Sequence, residues 1–387
     1  MAVTGIRPRE TFVRIVGLSL MLSILALAVF ASSDASAANP VRIAMITAKT
    51  GEAGPTNSLS FEAARYSVNV INGDRGILGR PVELLEYDNQ STPEGSAEAA
   101  RQALADGAVA VVGCNWSSHS LAMAEVLQKA RIPMITHMST NPAVTRTGDY
   151  IFRACFTDEL QGAGLAHFAG DKLRAKTAVI LVDRGRTYSK GLARSFAESF
   201  EAEGGAVLWT AEYDSGNLNP DMYLENVSQL DPDLLFVPGG YADVAAFFGR
   251  TARHNVRAAR MSGDGISVKL YSYIGELADG VYFSGHWNRW VNTRLSREFV
   301  REYEKESGKI RENTQALVYD SFMLLREAME WAGTTDGPEV RDALFRISGF
   351  EGVTGEITFD RNGDPIKPLT INQLRYGGLL YLEQIHP

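Results

Sequence analysis

The stretch that decides the fold runs from Val109 to Thr145, VAVVGCNWSSHSLAMAEVLQKARIPMITHMSTNPAVT. Val109 to Gly113 is a short apolar run that ends in glycine, which is typical of a buried strand. Pro133 to Thr136 has the same character. Between them, apolar residues recur at i, i+3, i+4 and i+7, as on one face of an amphipathic helix: Met123, Val126, Leu127 and Ala130. The stretch therefore predicts a strand, a helix and a second strand.

Each of these strands leads into a polar loop. Two parallel strands joined by a crossover helix bring both loops to the same edge of a sheet, and ligands of open α/β sheets bind outside that edge. We therefore expect a small-molecule site lined by the hydroxyl side chains of the two loops, Ser117, Ser118, Ser139 and Thr140.

The rest of the chain repeats this alternation. One βα series runs from Val41 to Lys172 and a second from Lys176 to Ser284. Two consecutive series predict an α/β protein with two doubly wound, Rossmann-like lobes, each with a mostly parallel sheet. Three further helices and an antiparallel region with a turn at 361–363 follow, and we expect this late material to pack back on both lobes. The pattern predicts a ligand cleft between the lobes.

The N-terminus has the composition of a secretory signal peptide spanning residues 1–37. Arg7, Arg9 and Arg14 precede an apolar core, and small residues end at Ala37. A membrane anchor is the alternative, but the apolar run is short for a spanning helix. No cysteine stands at the cleavage site to carry a lipid, so we expect cleavage after Ala37 or Ala38 and release into a periplasm.

Composition and motifs exclude several function classes. The net charge is −8 and no cluster of basic residues occurs, which disfavours nucleic acid as a partner. No nucleophile elbow, phosphate-binding loop or zinc motif is present, so we expect no enzyme, cofactor or metal. A metal role for His119 and His137 is a weak alternative. Residues 360–364 resemble the start of a calcium loop but fit a hairpin turn better.

The chain has two cysteines, Cys114 and Cys155. Each follows a predicted strand, so proximity is conceivable, and an oxidising compartment would permit a disulfide. Two separate buried thiols are the other interpretation, and the sequence does not decide between them.

The order and spacing of many short features resemble one known family. The features are Val41-Arg42-Ile43-Ala44, Thr50-Gly51, Ile71-Asn72, Gly76-Ile77-Leu78-Gly79, Tyr87-Asp88, Val111-Val112-Gly113, Ser117-Ser118, Phe152-Arg153, Thr157-Asp158, Gln161-Gly162, Gly239-Gly240-Tyr241 and Gly263-Asp264-Gly265. Together they are similar to the type I periplasmic binding proteins of ABC importers, in the leucine/isoleucine/valine-binding (branched-chain amino acid) branch.

This resemblance implies an organisation and a function. It implies two lobes joined by a three-segment hinge, with lobe 1 formed by 38–155 and 287–363 and lobe 2 by 156–286 and 364–387. It implies a monomeric receptor that captures an amino acid in the cleft and delivers it to an ABC transporter permease. Alternatives within the same fold are a binder of an amide, urea or aromatic carboxylate, or a ligand-sensing signalling subunit.

The resemblance also implies roles for individual residues. The ligand carboxylate falls to Ser117, Thr140 and the main chain of Met138, and the ligand ammonium to Asp264. Two aromatic residues, Tyr188 and Tyr241, close over the ligand.

These residues have other interpretations. The serines fit ordinary helix capping, Asp264-Gly265 fits a turn, and either tyrosine fits a core position. Trp116 and Thr56 depart from the family pattern, so we expect a reshaped side-chain pocket and infer no particular amino acid.

Overall fold

The structure is a computed structural model and describes Met1 and residues 39–310 and 312–386. The predicted signal peptide lies outside the described residues, apart from Met1. Within the described ranges, no helix combines the length and the apolar character needed to cross a membrane.

The described chain alternates strands and helices along most of its length. The strands are β1 Val41–Thr47, β2 Val82–Asp88, β3 Ala110–Val112, β4 Met134–Thr136, β5 Ile151–Arg153, β6 Thr177–Asp183, β7 Ala206–Tyr213, β8 Leu234–Phe236, β9 Ala259–Ser262, β10 Tyr282–Gly285, β11 Phe350–Gly352, β12 Gly355–Ile357, β13 Leu369–Arg375 and β14 Gly378–Ile385.

The α-helices are α1 Gly54–Asn57, α2 Leu59–Gly73, α3 Pro93–Ala105, α4 Ser117–Ala130, α5 Asp158–Asp171, α6 Thr187–Ala202, α7 Pro220–Leu230, α8 Tyr241–Phe248, α9 Tyr271–Ile274, α10 Arg294–Ser307, α11 Asn313–Ala332 and α12 Gly337–Phe345. Short 3₁₀ turns lie at Thr145–Thr147, Ser215–Asn217, Ala252–His254, Val268–Leu270 and Gly275–Ala278.

The first sheet has five parallel strands in the order β2-β1-β3-β4-β5. Helices cover both faces. On one face, β1 residues such as Ile43 pack with α2, α10, α11 and α12. On the other face, Ile46 and Val111 pack with α3 and α4. Because both faces are buried, the strands β1, β3, β4 and β5 are mainly apolar rather than alternating, which is typical of parallel sheets, whereas the edge strand β2 is only partly buried and carries two glutamates.

The second sheet has seven strands in the order β14-β13-β10-β9-β8-β6-β7. Strands β6 to β10 are mutually parallel, and β13 and β14 extend the edge antiparallel. Helices α5 and α6 cover one face and α7 and α8 the other. Its parallel part has the same winding order as the first sheet, so the prediction of two doubly wound lobes is confirmed.

The chain passes between the two sheets three times. It leaves the first sheet after β5, and α5 packs on the second sheet. After β10 it returns, because α10, α11 and α12 pack on the first sheet. It passes back a third time before β13, which pairs with β10. The expectation that the late segments pack on both halves is confirmed.

The late antiparallel region differs from the prediction in one respect. Strand β12, Gly355–Ile357, pairs with β11, which the sequence did not predict, and not with the strands that follow the turn. The turn at 361–363 does form and brings Phe359 opposite Pro365 as an isolated bridge. The β13–β14 hairpin forms as expected. The segment 350–352 escaped prediction because it is three residues long and contains glycine.

The two cysteines do not pair. Cys114 and Cys155 are both buried free thiols. Burial raises the pKa of each thiol to about 12, so both are protonated at neutral pH. The interpretation as two separate buried thiols is confirmed.

Candidate ligand-binding site between the two sheets

The strand order of each sheet places a ligand site at a definite position. In the order 2-1-3-4-5, the connections reverse direction between the first and third strands, and ligands bind outside the carboxyl ends there. In the first sheet this point lies between β1 and β3, and in the second between β6 and β8. After β3, Trp116 precedes Ser117, the first residue of α4. After β6, Arg186 precedes α6, whose second residue is Tyr188.

Ser117 is the first residue of α4 and does not cap it. Trp116 occupies the N-cap position, no side chain caps the helix there, and its first turn contains no acidic residue. The Ser117 hydroxyl instead accepts a hydrogen bond of 3.3 Å from the amide of Asn141 in the neighbouring loop. The alternative of ordinary helix capping is therefore wrong, and the positive end of α4 is directed at the loops.

Thr140 and Asp158 form a pair of buried polar groups without hydrogen-bond partners. Thr140 is 1% exposed and Asp158 0% exposed. No hydrogen bond of ordinary geometry ends at the Thr140 hydroxyl or at either carboxylate oxygen of Asp158 among the described residues, although the Thr140 and Asn141 side chains lie close enough to the carboxylate to act against the rise of its pKa. The two residues are adjacent, because the Asp158 amide donates to the Thr140 carbonyl at 2.8 Å. Burial is the main cause that raises the pKa of Asp158 to about 7.

The second sheet reaches this pair through Gly191 in α6. A Cβ at Gly191 would lie 2.6 Å from Asp158 Oδ2 and 2.4 Å from Asn141 Nδ2, so only glycine permits this approach. Sequence reasoning missed Asp158. The Thr157 hydroxyl accepts a hydrogen bond from the Leu160 amide, so Thr157-Asp158 has the pattern of an ordinary helix start.

The first hypothesis about the loop hydroxyls needs correction at Ser139. Its hydroxyl lies 2.7 Å from that of Ser120 and donates to the Cys114 carbonyl at 3.2 Å. Ser139 is 1% exposed and supports the loop from inside. Ser118 is half-buried in the first turn of α4.

Asp264 follows β9 and is not an exposed turn residue. It is 8% exposed, and both carboxylate oxygens accept hydrogen bonds. Gln161 Nε2 donates to Oδ1 at 3.0 Å, and His286 Nε2 lies 2.8 Å from Oδ2. The Asp264 amide in turn donates to Gln161 Oε1 at 3.0 Å. The carboxylate is thus held in a fixed orientation from two sides.

The two predicted closing tyrosines both contact the loop that follows β9. The Tyr188 hydroxyl accepts from the Gly265 amide at 3.2 Å, and the Tyr241 hydroxyl lies 2.8 Å from Ser267 Oγ. Because Ser267 donates to Glu312 at 2.8 Å, Tyr241 is the donor to Ser267. Burial, followed by nearby carboxylates, raises the pKa of both tyrosines well above the usual value. Both rings are half-buried.

Several contacts join the loops of the first sheet to those of the second. Arg186 donates to Glu52 at 2.5 Å, and its guanidinium carbon lies 4.3 Å from the centre of the Trp116 ring. Asn141 Nδ2 donates to the Thr187 carbonyl at 3.2 Å. Lys269 Nζ donates to the Pro55 carbonyl at 3.2 Å. Sequence reasoning missed Arg186, although it emphasised both of its neighbours, Trp116 and Tyr188.

The remaining predicted residues have supporting positions. Thr56 is half-buried in α1 and donates to the Ala53 carbonyl at 2.9 Å. Met138 packs against the core of the first sheet. His119 and His137 lie beside Asn89 and Asn115 respectively. No cluster of potential metal-binding side chains occurs among the residues that the structure describes.

Arg153 supports the loop that carries Thr140. The guanidinium is completely buried and donates to the carbonyls of Ser139 and Asn141 at 2.7 and 2.9 Å. It also pairs with Asp364 at 2.5 Å, just after the chain's third passage begins. The main-chain carbonyls of the loop are therefore turned inward.

Comparisons with known proteins agree with this arrangement. A family model described as periplasmic binding protein matches residues 40–378. A leucine-, isoleucine-, valine-, threonine- and alanine-binding protein of Pseudomonas aeruginosa is 24% identical, with 90% of this chain and 92% of that protein covered.

Two solved structures are similar over nearly their whole length. The leucine-binding protein LivK of Thermotoga maritima is 30% identical with a TM-score of 0.85, covering 90% of this chain and 99% of that one. The branched-chain substrate-binding protein LivJ of Streptococcus pneumoniae, in complex with isoleucine, is 25% identical with a TM-score of 0.84, covering 90% and 100%. On the family match, the strand order and the loop geometry, this chain belongs to the periplasmic binding protein family.

Proposed function

We propose that this chain is an exported solute-binding protein, not an enzyme, that captures an amino acid between its two lobes and delivers it to an ABC transporter permease. The observation that carries the proposal is a pair of opposite charge preferences, one in the loops of each sheet. The N-terminus of α4 with Ser117 favours an anion, and Asp264 on the other wall favours a cation.

An amino acid zwitterion matches this opposition at both ends. Its carboxylate would take hydrogen bonds from the first turn of α4 and from the unpartnered Thr140 hydroxyl. Its ammonium would lie near Asp264, whose charge Gln161 orients but does not neutralise. Asp158 adds a second buried carboxyl group next to Thr140 and favours the ammonium further when it is ionised.

The relatives narrow the ligand class. The Pseudomonas protein is named for small aliphatic amino acids, and the two solved structures are named for leucine and branched-chain binding. We therefore propose a branched-chain or similar aliphatic amino acid as the first ligand to examine. Trp116, Tyr188, Tyr241 and Thr56 would then surround the ligand side chain, and Met138 would contribute main chain to the carboxylate.

The lobe boundaries and the export route belong to the same proposal. Lobe 1 comprises 38–155 and 287–363, and lobe 2 comprises 156–286 and 364–387, with the three passages acting as the hinge. The bridging contacts of Arg186, Lys269 and Asn141 describe the closed arrangement, which binding would stabilise. A cleavable leader of residues 1–37 would deliver a monomer to the periplasm.

A ligand screen followed by one substitution tests the proposal. Amino acids, urea, small amides and benzoate are compared by thermal shift, because a ligand at 100 times its Kd adds about 2.7 kcal/mol of stability. We expect aliphatic amino acids to stabilise the protein. Asp264→Asn should then weaken binding by about 2–5 kcal/mol, roughly 30- to several-thousand-fold, in calorimetry.

The matched control is Asp231→Asn, because Asp231 is an exposed aspartate in left-handed conformation at the end of α7. It should leave the affinity unchanged. Stabilisation by benzoate or urea alone, or an Asp264→Asn variant with wild-type affinity for amino acids, would contradict the proposal.

A further inference from the structure

Asp264 is paired with a histidine that is as deeply buried as the carboxylate. The side chains of His286 and Asp264 are 0% and 4% exposed, with His286 Nε2 2.8 Å from Asp264 Oδ2. The imidazole stacks on Phe156, with ring centres 3.8 Å apart. Phe156 lies in the first passage between the sheets and His286 directly follows β10, at the second. The proposed ammonium partner is therefore fixed by residues at two hinge segments.

The surroundings of the second imidazole nitrogen favour the neutral ring. His286 Nδ1 is buried and has no partner among the described residues. With Nε2 donating to Asp264, the neutral ring leaves at Nδ1 only an unused acceptor. The protonated ring would instead bury an N–H donor without an acceptor, which is a costly arrangement. The geometry alone thus favours a neutral imidazole beside an ionised carboxylate.

The surroundings of the pair shift the pKa of His286 in both directions. Burial is the largest cause that lowers the pKa of His286, Asp264 raises it, and Lys367 in the third passage lowers it. His137 faces His286 from the loop after β4. Three further titratable groups face Asp264: Asp158 from α5, Tyr188 from α6 and Cys155 from the segment after β5.

We propose that His286 is a positioning residue that makes ligand capture proton-dependent. This inference rests on the proposed role of Asp264 as the ammonium partner. When His286 is neutral, the pair carries one negative charge and attracts the ammonium. When His286 is protonated, the pair is neutral overall and the attraction is lost. Binding to the protonated form therefore expels the Nδ1 proton to solvent, and no other bond is made or broken.

The inference has a quantitative consequence. If ammonium and imidazolium exclude each other, affinity falls by up to about tenfold for each pH unit below the pKa of His286 in the free protein. An aliphatic amino acid keeps the same charges over about pH 4 to 8, so the ligand itself contributes no such slope. Asp158 also titrates in this window and would weaken binding in the same direction, so its part must be separated.

The test measures affinity and proton release with the protein expressed from the full chain. Because the pKa of His286 is lowered, calorimetry with L-leucine, or with whichever aliphatic amino acid the screen identifies, is run at intervals from about pH 4 to 8 in two buffers of different ionisation enthalpy. For the wild type we expect weaker binding and a measurable proton release as the pH falls. His286→Gln retains a side-chain donor toward Asp264 and should lose the His286 part of both effects, with affinity at pH 8 reduced about tenfold or less.

Two further variants make the result specific. Asp158→Asn should keep the His286-dependent slope and proton release. His254→Gln changes a histidine that also pairs with an aspartate, Asp221 at 2.7 Å, away from the cleft, and should match the wild type. A wild-type affinity that is independent of pH, or a His286→Gln profile identical to the wild type, overturns the inference while the proposed function stands.

The wild-type measurement needs no substitution, so misfolding of a variant does not block the test. Failure to bind any amino acid at any pH would instead refute the proposed function, and this inference with it.

Discussion

Arg186 offers the sharpest test of how the two halves are held together. Its guanidinium extends from the loop after β6 to Glu52 and to the face of Trp116, both on the first sheet's side. It also pairs with Asp183 on its own side at 3.0 Å. Replacing Arg186 with methionine removes both bridging contacts and keeps the length of the side chain. Asp183 retains donors from Ser215 and the Gly185 amide, so no buried charge is stranded.

The expected loss of binding free energy follows from how exposed the paired side chains are. The Glu52 side chain is 66% exposed and that of Arg186 19%, so the ion pair contributes only about 0.3 kcal/mol after screening. The cation–π contact with Trp116 adds about 0.5–1 kcal/mol. The sum of about 1 kcal/mol corresponds to roughly fivefold weaker ligand binding, provided these contacts form only in the closed protein. Because they would break before the ligand leaves, most of the change should be in the dissociation rate.

The assay is stopped-flow dissociation monitored by tryptophan fluorescence, together with calorimetry. Glu52→Gln should cost less than a factor of two and should remove the salt dependence of the contact. Arg184→Met is the matched control, because Arg184 lies in the same loop but pairs with Asp214 on its own side at 2.7 Å. If Arg186→Met dissociates at the wild-type rate, the bridge does not stabilise the closed form and the reasoning is wrong.

Two other predictions concern the unpartnered polar pair. Thr140→Val should weaken amino-acid binding about tenfold and change the stability of the free protein much less, because the Thr140 hydroxyl makes no hydrogen bond of ordinary geometry in the free protein. Thr147→Val, at a half-buried threonine, is its control, and equal losses of affinity in both would contradict the assignment. Asp158 has a folded-state pKa of about 7, above its value of 3.8 when unfolded, so its contribution to stability is full below about pH 4 and is lost as the pH rises through 7. Asp158→Asn should therefore stabilise the free protein by at most about 4 kcal/mol at pH 8 and by less than half of that at pH 5. Urea unfolding of both proteins at the two pH values measures this difference. If the difference in unfolding free energy does not grow with pH, the Asp158 carboxylate does not ionise while buried.

The periodicity of the sequence predicted most elements because their faces are buried in a regular way. The predicted strands 109–113 and 133–136 are observed as Ala110–Val112 and Met134–Thr136, so their ends differ by at most one residue. Helix α8 ends at Phe248 and is followed by a separate 3₁₀ turn at Ala252–His254. Local sequence patterns do not show where an α-helix ends and a 3₁₀ turn begins.

The site was only partly accessible from the sequence. Ser117, Thr140 and Asp264 lie at the ends of predicted strands, so topology alone brought them to the sheet edges. The contact between Arg186 and Glu52 joins residues 134 positions apart, and no local sequence pattern predicts it. His286 follows a strand too, but its importance comes from Asp264, which lies on the neighbouring strand's loop. Long-range pairings of this kind depend on three-dimensional packing.

The threefold passage of the chain has a consequence for how the molecule folds and how it can be divided. The second sheet needs β13 and β14, which are separated from β10 by the helices that complete the first half. Neither half is therefore built from one continuous segment. A cut at the second passage leaves both cores incomplete, and a cut at the first or third passage leaves one of them incomplete. We expect the two halves to unfold in one cooperative transition. Two independent domains could be separated from each other. Here the three connecting segments permit motion between the halves but keep them from being separated.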